Sequence, residues 1–182
     1  MKIITPFGPK IGKSKIPSNI VKRINNEIDQ IVKNKNNLKK HDYSKKVVGQ
    51  VYQEIQLSKK FVNKNLKIYI NKSISDYLKK TLNKKTKYIN IKNCWVVRQF
   101  KNEYNPIHWH GGHLSGAGFL KTPKSWGKHI QDKGTNIYKG GNLNFVHGNH
   151  QFLSNSIYEV KPKVGEFFIF PNSDNHRNFF GI

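Results

Sequence analysis

The strongest constraint on this chain's fold is a change of hydrophobic period near Tyr88. Before it, apolar residues recur every three or four positions. Ile20, Val21, Ile24, Ile28, Ile31 and Val32 follow the helix-start signal Pro17-Ser18-Asn19, and Phe61, Leu66, Ile68, Tyr69, Ile74, Tyr77, Leu78 and Leu82 follow Ser58. These stripes predict two helices, the second running to about Leu82, with the Lys/Asn-rich stretch 33–46 as a loop between them. "VVGQVYQEI" (47–55) reads as a short strand or ordered turn. After Tyr88 the period falls to two and Gly and Pro punctuate the chain, which predicts strands over 94–100, 114–121, 141–148, 155–162 and 165–171. A polar loop covers 122–140. Helices followed by a run of strands imply an α+β protein, with a small barrel or double-sheet jelly roll packed against helices.

At 182 residues one domain suffices, with 1–87 a mainly helical, Lys-rich support and 88–182 a β core. No apolar run approaches a membrane span, and residues 1–15 lack the hydrophobic stretch of a signal peptide. The expectation is a cytoplasmic protein without membrane contact. The lone Cys94, in "NCWVVRQF", forms no internal disulfide and reads as a packed thiol.

The formal charge of +23 points toward nucleic acid. The composition argues against that reading: Arg, which grips phosphate and guanine with two parallel bonds, occurs only at 23, 98 and 177. Lys, Asn and Ile are the residues that an AT-rich coding sequence supplies unselected. Residues 1–100 carry 24 Lys or Arg against 5 acids, and 101–182 carry 9 against 5, so the basic half is not the half that holds the histidines. Nucleic acid stays a possible partner that the sequence does not favour.

Seven of the eight histidines lie between 108 and 176. In "NPIHWHGGHLSGAGFLKTP" (105–123), residues 108 and 110 share one side of an extended chain, so His108 and His110 present two imidazoles to one space with Trp109 facing away. A third ligand normally comes from a distant strand, and His176 follows "FIFP" at such a strand's end. Neutral imidazole suits Fe, Zn, Ni and Cu, and a facial triad with open positions is how non-haem Fe(II) oxygenases bind co-substrate and O₂. His113 follows Gly111-Gly112 as a turn or supporting residue. His147 and His150 fit a polar hairpin better than an H-x-x-H site. Trp95 and Trp109 read as packing residues, and Tyr104 and Asn105 as the lip of the pocket.

The ordered motifs "WVVRQF…YNPIHWHGG..SG…LK.P", "GGNLNF" and "KP.VGEFFIFP….H" resemble a group of 2-oxoglutarate- and Fe(II)-dependent oxygenases of phages and marine bacteria, within the prolyl-hydroxylase-like superfamily. The likeness covers roughly 94–176, with a weaker one in "ITPFGPKIGKSKIP". It implies a double-stranded β-helix (jelly-roll, cupin-like) core with the N-terminal helices outside. It also implies Fe(II), 2-oxoglutarate and O₂ as cofactor and co-substrates, and hydroxylation of a substrate coupled to release of succinate and CO₂. His108 is then the first ligand, His110 stands in the place of the usual carboxylate, and His176 is the distal ligand.

Two departures follow from the comparison. H-x-H supplies one negative charge fewer than H-x-D/E, and Asp174 is the alternative source of a carboxylate. The resembled enzymes also carry, some ten residues beyond the distal His, an Arg that pairs with 2-oxoglutarate, whereas this sequence ends at Ile182. That suggests a truncated copy, or Lys121 as substitute anchor, with Ser115 and Asn144 as further hydrogen-bonding partners of the co-substrate. The competing expectation is a degenerate metal-binding β module whose basic helices bind nucleic acid or a protein. A three-histidine, cupin-like dioxygenase that needs no 2-oxoglutarate is a third.

Overall fold

The structure, a computed structural model, describes residues 1–126, 140–149, 152 and 155–172. Helix α1 (Ser18–Lys33) buries Val21, Ile24, Ile28 and Ile31, the stripe that the spacing predicts. The stretch expected as loop folds further. Asn34 accepts hydrogen bonds from the N–H of Asn36 (2.9 Å) and Asn37 (3.1 Å), starting α2 (Lys35–Lys40) and letting Leu38 pack on the core. Ser58 caps α3 (Lys59–Asn65) by accepting from Phe61 N at 3.1 Å. The single long helix expected here breaks at Leu66 (φ −117°, ψ −29°) before α4 (Lys67–Leu82), because burying Val62, Leu66 and Ile70 in one cluster re-aims the chain.

All five strands expected after Tyr88 occur, each shorter than expected at one end or both: β4 (Trp95–Arg98), β5 (Leu114–Gly118), β6 (Leu143–Val146), β7 (Ile157–Val160) and β8 (Glu166–Pro171). Three more precede them: β1 (Lys2–Ile4), β2 (Ile11–Lys15) and β3 (Gln53–Gln56). The pairing is antiparallel throughout, in sheets ordered β1-β2-β8-β5, β3-β4 and β6-β7. This is the α+β class expected.

β8 is the axis of the fold, because alternate residues feed two cores. Phe167 and Ile169 face α4 and pack with Tyr77, whose hydroxyl donates to Lys10 O at 2.8 Å. Phe168 faces the other way and joins Ile11, Phe145 and Val160, with Phe170 against the same cluster, closing the four-stranded sheet over the β6-β7 hairpin. A third core gathers α1, α3 and α4 around Ile55, Leu57 and Cys94. Burial pushes the Cys94 thiol up to about 12, so it is the packed, unreactive thiol expected. Gly116 permits the closest strand contact, since a Cβ there would lie 2.5 Å from the ring of Phe167. Among the described residues no helix is long and apolar enough to cross a membrane.

Candidate metal centre

The histidine segment is not the strand that the i, i+2 argument assumed. β5 starts only at Leu114, and residues 105–112 run as irregular chain. The cause is local: Pro106 offers no N–H to a ladder, and Gly112 takes a positive φ of 88°. The two imidazoles nevertheless meet, with ring centroids 4.7 Å apart and planes at 51°. Two imidazoles held cis on one ion, with metal–nitrogen bonds of about 2.1 Å, have ring centres about 4.6 Å apart. The pair therefore fits a shared ion.

The hydrogen bonding fits as well. His108 Nδ1 lies 2.7 Å from Pro106 O, a contact that places the proton on Nδ1 and leaves Nε2 with a free lone pair. His110 packs edge-on against Phe170 of β8, with centroids 5.7 Å apart. Burial first, and the neighbouring His108 second, hold its pKa down to about 4, so its ring is the neutral donor that a metal requires.

β8 also clamps the loop. Asn172 N donates to His113 O at 3.2 Å and Asn172 Nδ2 donates to Gly111 O at 2.8 Å, which ties the residues after His110 to the end of the strand. The Asn172 Oδ1 is buried and has no partner among the described residues. Nothing in the sequence marked Asn172 except its place after Pro171. Its role arises from β5 and β8 pairing in the register Leu114↔Pro171.

The other expected residues divide. Ser115 is buried opposite Phe170, so its side chain shares the face on which His110 packs. Asn144 is exposed and alternates with the buried Phe145, which turns it away from that face. Lys121 is not directed toward the histidines: its ammonium pairs with Asp29 of α1 at 3.2 Å on the surface, since β5 ends beside that helix. His113 is exposed and serves the loop through its carbonyl. His147 packs against Phe7. Trp109 is 78% exposed and is no packing residue, because the irregular chain leaves it without a sheet to lie on. Asp174, His176 and His150, and most of the 122–140 loop, lie outside the described residues. Among the described residues no group of three potential ligands converges.

An α+β protein with antiparallel sheets and two neighbouring imidazoles at a strand entrance is the class that these features define. Residues 93–179 match the model of a family described as "Putative 2OG-Fe(II) oxygenase". Over that segment, from β4 past β8, the chain is similar to the 2OG-Fe(II) oxygenase family. Searches of curated proteins and of solved structures find no match to it.

Proposed function

We propose that the chain is a non-haem Fe(II)- and 2-oxoglutarate-dependent dioxygenase on a double-stranded β-helix core. Its reaction would hydroxylate a substrate while 2-oxoglutarate is decarboxylated to succinate. The observation that carries this is the histidine pair itself: ring centres at chelating separation, His108 fixed in the tautomer that frees Nε2, and His110 kept neutral by burial. His108, His110 and His176 would hold the iron, which when bound supplies O₂ activation and the positive charge that orients 2-oxoglutarate. Phe170 walls the site against water, and Ser115 offers a hydroxyl on the same face for a co-substrate carboxylate. An all-histidine set lacks the usual anionic ligand, so retention of iron should be weaker than in an H-x-D site.

Anaerobic titration with Fe(II) or Co(II) tests the ligand set. Binding that His108→Ala and His176→Ala each reduce at least 100-fold is the expected result, and unchanged affinity in both variants would overturn it. Succinate release from 2-oxoglutarate by the Fe(II)-loaded protein tests the reaction separately. Tight metal binding without any succinate would mark a degenerate site.

A further inference from the structure

Six of the fourteen large apolar side chains exposed among the described residues lie in two joined segments, one of which runs into the histidine pair. Val48 and Tyr52 lie in one segment, and Phe100, Tyr104, Ile107 and Trp109 lie in a second that runs directly into His108 and His110. The two segments are joined by Gln50 N donating to Tyr104 O at 2.9 Å and Tyr52 N donating to Glu103 Oε1 at 3.1 Å. Tyr52 is 89% exposed, Ile107 76% and Tyr104 52%. A concentration of large exposed side chains around a candidate catalytic centre marks a surface built to bind.

Its charge narrows the partner. The same stretches carry Lys45, Lys46, Arg98 and Lys101, with the Arg98 guanidinium 5.4 Å from the Phe100 ring. Glu103, the one acid between 98 and 110, has both carboxylate oxygens engaged by the backbone N–H groups of Tyr52 and Phe100. Beside Tyr52 opens a cavity of about 450 Å³ lined by Lys35, Leu38, Lys39, Asp42, Gln53 and Glu54. Exposed rings that offer π faces, with cations in the same stretches, match unstacked bases on a phosphate backbone. A duplex keeps its base faces stacked and would leave the rings unused. An apolar peptide would leave the lysines, and the chain's +23, without a counterpart.

We propose that this surface binds single-stranded nucleic acid, with bases stacked on Tyr52, Tyr104 and Trp109 and phosphates on Lys45, Lys46, Arg98 and Lys101, and that it brings a nucleotide to the His108–His110 pair. Delivery to the histidines rests on the oxygenase reading; the binding does not.

Fluorescence anisotropy of the full chain with labelled 20-nucleotide oligo(dT), its RNA counterpart and a 20-base-pair duplex tests it. The single strands should bind more tightly than the duplex, and affinity should fall at least 10-fold between 50 and 200 mM salt. The triple variant Tyr52→Ala/Tyr104→Ala/Trp109→Ala removes only exposed rings, so it should stay folded, and it should lose about 100-fold or more in affinity. Oligonucleotide affinity should be the same with and without EDTA, which separates failure of the metal site from failure of this surface. Equal affinity for duplex with no effect of the triple variant would reduce the binding to lysine charge and overturn the proposal. So would no oligonucleotide binding, including the case where the same rings hold vesicles of anionic lipid instead.

Discussion

Glu54 shows how one residue can be set by surroundings that the sequence does not reveal. It is 2% exposed on β3, its Oε2 has no hydrogen-bond partner among the described residues, and burial, with Asp42 nearby, raises its pKa from 4.5 to about 7. A carboxyl raised in the folded state binds its proton more tightly than in the unfolded chain. Its contribution is therefore most favourable below about pH 4.5 and is lost as the pH climbs to about 7. Glu54→Gln, which keeps the neutral shape, should flatten that decline and raise stability above pH 7 by about 1–3 kcal/mol. Thermal melts at pH 5 and pH 8 decide it: a variant less stable than the parent at pH 8 would contradict the assignment. The two histidines at 108 and 110 were legible as a pair from their spacing, although they meet in irregular chain and not in the extended strand that the spacing suggested. The bond that fixes the tautomer of His108 was not, since it depends on the chain turning back at Pro106.

Among the elements, β8 carries most of the organisation, and two predictions test its contacts. Asn172→Ala removes the bond to Gly111 O and loosens the loop after His110. It should cost only about 1 kcal/mol of stability but about 10-fold in Co(II) affinity, read by the visible absorption of the bound ion. A loss of stability with metal affinity intact would confine Asn172 to packing. Gly116→Val would press side-chain atoms into Phe167, and urea unfolding should show a loss of about 1–3 kcal/mol. The period-two strands of the second half were readable because one face of each is apolar. β1 and β2 were not, since lysines and Gly12 interrupt them and only pairing of β2 with β8, and of β1 with β2, makes them strands. The break at Leu66 was equally hidden, because the apolar period continues through it.

For the whole molecule, the ligands that fill the proposed site should act as folding ligands. Fe(II) or Co(II), added anaerobically with 2-oxoglutarate, should raise the melting temperature of the parent by several degrees at saturating concentration, and His108→Ala should abolish the shift. A shift that persists in the variant would place the metal elsewhere, for example among the remaining histidines. Taken alone, the sequence determined the class of fold, the five strands after Tyr88, the stripe of α1 and the pairing of His108 with His110, because each depends on the spacing of residues close together in the chain. Tertiary structure alone decided that Lys121 turns to Asp29, that Ser115 and not Asn144 shares the face of Phe170, that Asn172 holds the histidine loop, and that Trp109 stands in solvent. Those outcomes depend on which strands pair and in which register, a free-energy comparison among contacts distant in sequence that no local pattern encodes.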